Sequence, residues 1–237
     1  MRSRRAPGSP IPHTGKHQFL QDLHDLLRPE RYLEIGFQFG NSMWVTREDT
    51  SAYGVDPQPL GPVPPNGMVY TATSDEFFAQ LPSPCRAPFD LAFIDGSHLA
   101  EDALRDFIGV ERLARPDGRT VAVFDDVLPY SADIAERTPL PGDWAGDVWK
   151  ITNILETVRP DLTTIPVHVE PTGALVVLGL DPASTVLPEA FEQLMARNAR
   201  EFSSAETAAG IAAESRWAIG PADALHEIRS ILNITEA

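Results

Sequence analysis

The sequence predicts an α/β protein built on a doubly wound, mostly parallel sheet of seven strands, closed at one edge by an antiparallel hairpin and followed by extra C-terminal helices. Short apolar runs alternate with amphipathic stretches through residues 31–124, the order that places helices on both faces of a parallel sheet. One of those runs, Phe89–Ile94, has almost no polar interruption, and Thr120–Phe124 resembles it, as strands buried on both faces require. Near the end, Glu170-Pro171-Thr172-Gly173 separates two further β-rich runs, which reads as a hairpin.

The elements follow in order. Phe19, Leu23, Leu26 and Leu27 recur at spacings of three and four, so His17–Leu27 is expected to be a helix that Pro29 stops. Arg31–Ile35, Tyr53–Val55 and Met68–Thr71 read as strands, Trp44–Thr46 as the start of a helix, and Asp75–Leu81 as a short helix capped by Ser74 or Asp75. Leu99, Ala103, Leu104, Phe107, Val110 and Leu113 lie on one stripe of a helix that ends before Pro116 and Gly118. Pro129–Trp149 shows no period and is expected to be a long functional loop. Val148–Val158 looks helical, and Thr163–Val169 and Ala174–Leu180 form the hairpin strands. Two or more helices fill Leu187–Ala237, where a lid, a contact between copies and a simple cap are all open.

Composition narrows the partners. The 237 residues suffice for one large domain, and 43% hydrophobic with 22% charged is ordinary for a soluble globular chain. The longest apolar runs, such as Ala174–Leu180, fall far short of the roughly 20 residues a membrane span needs. Arg2, Arg4 and Arg5 are followed by Pro7, Gly8, Pro10 and Pro12, which reads as a frayed tail and not as a signal peptide. A single cysteine, Cys85, forms no internal disulfide and no thiolate metal cluster, so a reducing cytoplasm is the expected compartment. The formal net charge of -15 repels phosphate backbones, leaving small molecules as the expected partners instead of nucleic acid.

The chemistry begins at Leu33–Gly40. Glu34-x-Gly36-x-x-x-Gly40 sits after an apolar strand, where glycines let the backbone turn and approach a ligand. It is neither a Gly-x-Gly-x-x-Gly dinucleotide loop nor a phosphate-binding P-loop. About twenty residues on, Gly54-Val55-Asp56 ends the next strand with an acid placed to accept two ribose hydroxyls. These residues resemble the class I S-adenosylmethionine-dependent methyltransferases over roughly residues 16–180. The resemblance implies that Glu34 lies near the cofactor's amino acid portion, that Gly36 and Gly40 lie near its sulfonium and that Ser74 and Asp75 contact adenine, with Phe37, Asn41 and Ser42 of the same loop also expected to bind the cofactor. Asp95 joins this cofactor set. Composition and spacing divide the chain into an expected mobile arm over 1–15, a catalytic domain over 16–182 and a helical extension over 183–237, a lid or an oligomer contact.

A second constellation lies further along. Phe89–His98 delivers Asp95 and His98 to the carboxyl end of one strand, and Val123-Phe124-Asp125-Asp126 delivers two more acids to the end of the next. Three converging carboxylates repel one another unless a cation neutralises them, and all-oxygen ligation suits Mg²⁺ first, then Mn²⁺ or Ca²⁺. Such an ion would polarise a substrate hydroxyl, with His98 as the base, since an ordinary imidazole pKa of about 6.5 leaves it largely neutral. The structural alternatives are Asp126 as a helix cap, Asp125 paired with an arginine, and His98 bonded within the core. The run Phe-Ile-Asp-Gly-Ser-His followed by Asp-Asp resembles the metal-dependent O-methyltransferases of actinobacterial sugars and natural products, which implies Asp95, Asp125 and Asp126 as metal ligands. Catechol-type enzymes usually carry Asp-Asn at the second pair, so Asp126 departs from their pattern. In the loop, Trp144 and Trp149 offer flat faces and Asp143, Asp147 and Lys150 polar handles for a substrate. The expected activity is metal-assisted O-methylation of a small-molecule hydroxyl. Metal-free N- or carboxyl-methylation and a non-catalytic partner subunit are the alternatives, and a homo-oligomer is compatible with either.

Overall fold

A computed structural model describes residues 15–139, 141 and 143–235. In chain order the elements are α1 (Gly15–Leu27), β1 (Arg31–Ile35), β2 (Ser51–Asp56), β3 (Gly67–Thr71), α2 (Ser74–Gln80), β4 (Leu91–Ile94), α3 (Ala100–Arg112) and β5 (Val121–Asp125), then α4 (Lys150–Val158), β6 (Thr163–Val167), β7 (Ala174–Leu178), α5 (Val186–Asn198), α6 (Ser204–Ser215) and α7 (Pro221–Ile231). The seven strands form one sheet in the order β3-β2-β1-β4-β5-β7-β6. β1 to β5 pair in parallel, and β7 runs antiparallel to both β5 and β6. The predicted fold class is therefore observed. The expected N-terminal arm lies outside the described residues except for Gly15, which opens α1.

Alternation along the strands sorts the core into two layers. Leu33, Ala92, Ile94, Ala122, Phe124, Leu175 and Val177 face one side, where they meet Leu104 and Phe107 of α3 and Ile151 and Leu155 of α4. Leu91, Phe93, Val121, Val123, Val176 and Leu178 face the other, against Phe19, Leu20 and Leu23 of α1 and Ala224 and Ile228 of α7. Successive side chains of a strand point to opposite faces, so both layers need apolar residues and the strand sequences become continuously apolar. Leu187 of α5 joins the first layer as α7 joins the second, so these C-terminal helices cover the sheet. A buried pair ties the first layer together: Arg159 donates to both oxygens of Glu111 at 2.8 Å each and also pairs with Asp161 at 2.7 Å. Removing Glu111 would leave the buried guanidinium with Asp161 as its remaining partner.

Two local expectations are corrected. No α-helix follows the glycine loop; a single 3-10 turn at Met43–Val45 stands there instead. Asn66 Nδ2 donates to Thr46 Oγ1, Arg47 O and Thr50 O at 3.0, 2.9 and 2.8 Å, which fixes this segment as a loop, and its β-branched Val45, Thr46 and Thr50 favour helix weakly. The cap of α2 is Thr73, not Ser74 or Asp75: Thr73 has extended backbone and forms a reciprocal capping box with Glu76. Among the described residues no helix is long and apolar enough to cross a membrane.

One buried group links this core to pH. His24 is fully buried, neither ring nitrogen has a hydrogen-bond partner, and the ring meets Tyr32 edge-on at 4.9 Å. Burial, and after it the Arg47 charge, push its pKa down to about 3. The folded state therefore keeps His24 neutral, whereas the unfolded chain takes up a proton below about pH 6.5. Its share of stability is complete above that pH and falls by up to about 1.4 kcal/mol per pH unit as the pH drops toward the folded value. His24→Leu is expected to flatten the decline in urea-derived stability between about pH 6 and 4; an unchanged slope would assign that decline to other groups.

Candidate active site

A cavity of about 530 Å³ opens at the carboxyl ends of β1, β2 and β4. Its wall brings together Gly36, Asp56, Ser74, Asp75, Asp95 and His98, which the sequence analysis had singled out from separate segments. The floor is set by a close approach of two backbones. Gly36 has φ +93°, and a Cβ there would stand 1.8 Å from the carbonyl oxygen of Asp95, so only glycine lets the turn after β1 lie against the end of β4. Asp56 organises the neighbouring turn: its two oxygens accept from Gln38 N and Gln58 N, both at 2.7 Å. A carboxylate has about four lone-pair sites, so Asp56 keeps capacity for two more donors.

Five expected cofactor residues lie off this wall. Glu34 is fully buried and accepts from Tyr32 Oη at 2.7 Å and Ser42 Oγ at 2.9 Å, with burial pushing its pKa up to about 8 against those two hydrogen bonds. Glu34 and Ser42 thus partner each other beneath the loop. Phe37 turns into the core, and its ring lies 2.4 Å from where a Cβ of Gly40 would stand. Gly40 makes room for Phe37, not for a ligand. Asn41, on the same stretch, does not line the cavity either.

The structure adds residues the sequence reading passed over. Gln38, Arg105 and Asp106 line the cavity. Asp106 is 2% exposed, and burial raises its pKa to about 7 despite a hydrogen bond from Ser74. Its signal was present: Asp106 falls on the buried stripe of α3, three residues after Ala103 and four before Val110, where an acid needs a reason to be.

The acids at the strand ends are neutralised from within the chain. Lys16 Nζ donates to Asp95 Oδ2 at 3.1 Å and to Asp125 Oδ2. Burial works against the ammonium, but the charges of Asp125 and Asp95 outweigh it and hold Lys16 above the ordinary lysine range. Burial and the charges of Asp126 and Asp95 push the Asp125 carboxyl up, while Lys16 draws it back. His98 Nδ1 lies 2.9 Å from Asp126 Oδ2 and 2.9 Å from Trp144 O, and Nε2 lies 3.6 Å from Asp95 Oδ1. Both His98 (φ 59°) and Asp126 (φ 64°) are left-handed, the local strain that residues at functional sites often carry.

This arrangement corrects two expectations. His98 is not close to an ordinary histidine: burial lowers its pKa, but the Asp126 hydrogen bond and the charges of Asp126, Asp95 and Asp125 together raise it to about 9. Nor do Asp95, Asp125 and Asp126 fit a Mg²⁺ ion. The group whose ligand atoms come within 4.8 Å of one another is Asp95, His98 and Asp126, with Asp125 committed to Lys16. Mg²⁺ demands near-octahedral oxygen ligation, and here an imidazole and an ammonium have taken the places of oxygen and ion.

The loop between β5 and α4 closes over His98. A Cβ on Gly146, at φ +60°, would stand 1.8 Å from His98 O, and Asp147 N donates to that same oxygen at 3.1 Å. The Trp144 ring stacks on His98 at 5.1 Å and 5°, which brings Trp144 beside that imidazole. The side chains of Asp147 and Trp149 have other partners. Asp147 is buried and accepts from Ala100 N at 2.8 Å, Arg137 Nη1 at 2.6 Å and Lys150 Nζ at 2.6 Å, capping α3 from a distance. Trp149 packs edge-on against Phe202 and over Gly210, where a Cβ would stand 2.1 Å from its ring.

The fold has known counterparts. Residues 33–127 match the family model described as Methyltransferase domain. No curated protein sequence matches the chain. An O-methyltransferase of Bacillus cereus, solved with S-adenosylhomocysteine, is 17% identical with a TM-score of 0.52, covering 73% of this chain and 84% of that one. TomG of Streptomyces achromogenes, an O-methyltransferase involved in tomaymycin synthesis and solved with S-adenosylmethionine, is 20% identical with a TM-score of 0.51, covering 74% and 83%. A methyltransferase of Podospora anserina bound to S-adenosylhomocysteine is 14% identical with a TM-score of 0.51, covering 74% and 89%. The sheet order and the matched domain define a class I methyltransferase fold. Residues 33–127 thus carry the sequence pattern of a methyltransferase domain within that fold.

Asp56→Ala is expected to weaken S-adenosylmethionine binding in calorimetry by about 1–3 kcal/mol, the range for losing hydrogen bonds to a charged group. Asp56→Asn, which keeps acceptor and shape, should lose less. Unchanged affinity in both would move the ribose away from β2.

Proposed function

We propose that this chain transfers the methyl group of S-adenosylmethionine to a hydroxyl oxygen of a small molecule, a sugar or natural-product intermediate, with His98 as the base. One observation carries the reading: His98 and Asp95 stand on the wall of the same cavity as Gly36 and Asp56, so a base borders the space proposed for the methyl donor. The acceptor class draws support from the O-methyltransferases of matching fold, one of them involved in tomaymycin synthesis.

S-adenosylmethionine supplies an electrophilic methyl group. The chain's residues supply position and a proton acceptor. Trp144 O can only accept, so the 2.9 Å contact requires the proton of a neutral His98 to sit on Nδ1. Nε2 then carries the lone pair, on the side of Asp95. With S-adenosylmethionine held along Gly36 and Asp56, its methyl group would go to the acceptor oxygen and Nε2 would take the hydroxyl proton. Asp126 holds the ring's other edge and stabilises the imidazolium that results. The stacked indole of Trp144 presents an apolar surface next to this point and helps exclude water.

Labelled S-adenosylmethionine and a panel of sugars and phenols test the acceptor class; transfer only to amines or carboxylates would sink it. For the residue, only the unprotonated fraction of His98 is competent, so with a pKa near 9 turnover should climb as the pH rises through that value. His98→Gln is expected to lose turnover by about 10²–10⁴-fold, to lose the pH rise, and to keep its cofactor affinity. Retained turnover with the same pH profile would give His98 a purely structural role.

A further inference from the structure

Of the nineteen lysines and arginines in the chain only two are lysine, Lys16 and Lys150. Arginine is this protein's usual cation, so each lysine marks a place where a planar fork does not serve. An ammonium is a compact point charge with three donors. Lys150 commits all three, to Asp147 Oδ2 at 2.6 Å, Asn198 O at 2.6 Å and Arg200 O at 3.2 Å. Lys16 gives two, one to Asp95 on β4 and one to Asp125 on β5.

The position of Lys16 is built into the fold. Lys16 N donates to Glu170 O at 3.1 Å, and a Cβ on Gly15 would stand 3.0 Å from Glu170 N, so the start of α1 abuts the turn between β6 and β7. From there the side chain, only 24% exposed, reaches across the carboxyl edge of the sheet. β4 and β5 are hydrogen-bonded neighbours, and one cation between their terminal carboxylates removes the repulsion that parallel pairing imposes.

We propose that Lys16 is the resident cation of this site: its ammonium neutralises Asp95 and Asp125 in the place where a divalent ion would bridge them, and its third N–H is left for the acceptor oxygen. Only that last clause rests on the hydroxyl-methylation reading. A divalent ion would have to displace Nζ, because an oxygen of each carboxylate already receives it. The acids stay together without metal, and the acceptor meets a fixed cationic donor from α1.

Mn²⁺ titration of the full chain, followed by loss of the free-ion paramagnetic resonance signal, tests this with neither cofactor nor acceptor present. The wild type is expected to take up no stoichiometric ion over the range in which Lys16→Ala and Lys16→Met each bind one, a gain of roughly tenfold or more in affinity. Adding Asp95→Asn to Lys16→Ala should abolish that uptake. Equal binding by wild type and Lys16→Ala overturns the proposal, and so does no uptake by either lysine variant while both still bind S-adenosylmethionine. If both variants lose the fold, the wild type decides: uptake that Asp125→Asn removes refutes the assignment, and no uptake upholds it. Cofactor calorimetry on the wild type reports separately on the methyltransferase reading.

Discussion

Parallel pairing of β4 and β5 brings Asp95 and Asp125 to adjacent strand ends roughly 4.8 Å apart, and Asp126 follows immediately. Like charges at such spacing cannot be left to themselves in a partly buried crevice, and the surrounding segments answer that constraint. The first helix supplies Lys16, the segment after β4 supplies His98, and each cation takes a different acid as its main partner. The β6–β7 turn holds the start of α1 in reach. The loop before α4 then folds over the imidazole through Gly146 and Trp144. An acidic pair fixed by sheet geometry thus dictates where three otherwise independent segments go.

The neighbouring cavity obeys a different requirement, close backbone approach. Gly36 satisfies it against Asp95 O, and this contact joins the Gly36–Asp56 side of the crevice to the acidic side through adjacent backbones. A bulkier residue at Gly36 would separate the two halves before it touched a ligand. Asp56, braced by Gln38 N and Gln58 N, holds the turn after β2 in the same orientation. His98 and Asp56 are therefore positioned relative to one another through main chain, which deforms less than side chains do.

Strands were legible in the sequence because burial on both faces leaves an uninterrupted apolar run, and β4 and β5 show it plainly. Gly36, Asp56, Asp95 and His98 were legible for a related reason: residues that end buried strands of a doubly wound sheet share one edge whatever the loops do. What could not be read depends on contacts between distant segments. Phe37 turning under Gly40, Glu34 sealed by Tyr32 and Ser42, and Trp149 drawn to Gly210 follow from packing that no local spacing encodes. Trp44–Thr46 read as the start of a helix, and hydrogen bonds from one side chain, Asn66, hold a loop there. The charge balance was half legible. Three acids announced a need for a cation, but nothing near them in sequence said that it would come from a residue 79 positions before Asp95.

The two lysines show the same physics used twice. Asp147 is the second buried acidic hub, and Lys150 and Arg137 neutralise it as Lys16 neutralises Asp125. Burial lowers the Lys150 pKa and the Asp147 contact works the other way, so this ammonium keeps its charge because all three donors are matched. In doing so it ties the irregular segment before α4 to the end of α5. An irregular segment with few apolar contacts is ordinarily the first part of a fold to open. Here the loop covering His98 is fixed at one end by backbone hydrogen bonds to residue 98 and at the other by a satisfied ammonium, which leaves Trp144 stacked over the imidazole between two firm supports. The side of the crevice next to Trp144 is consequently held from both ends of the described loop residues, by backbone and by a matched ammonium.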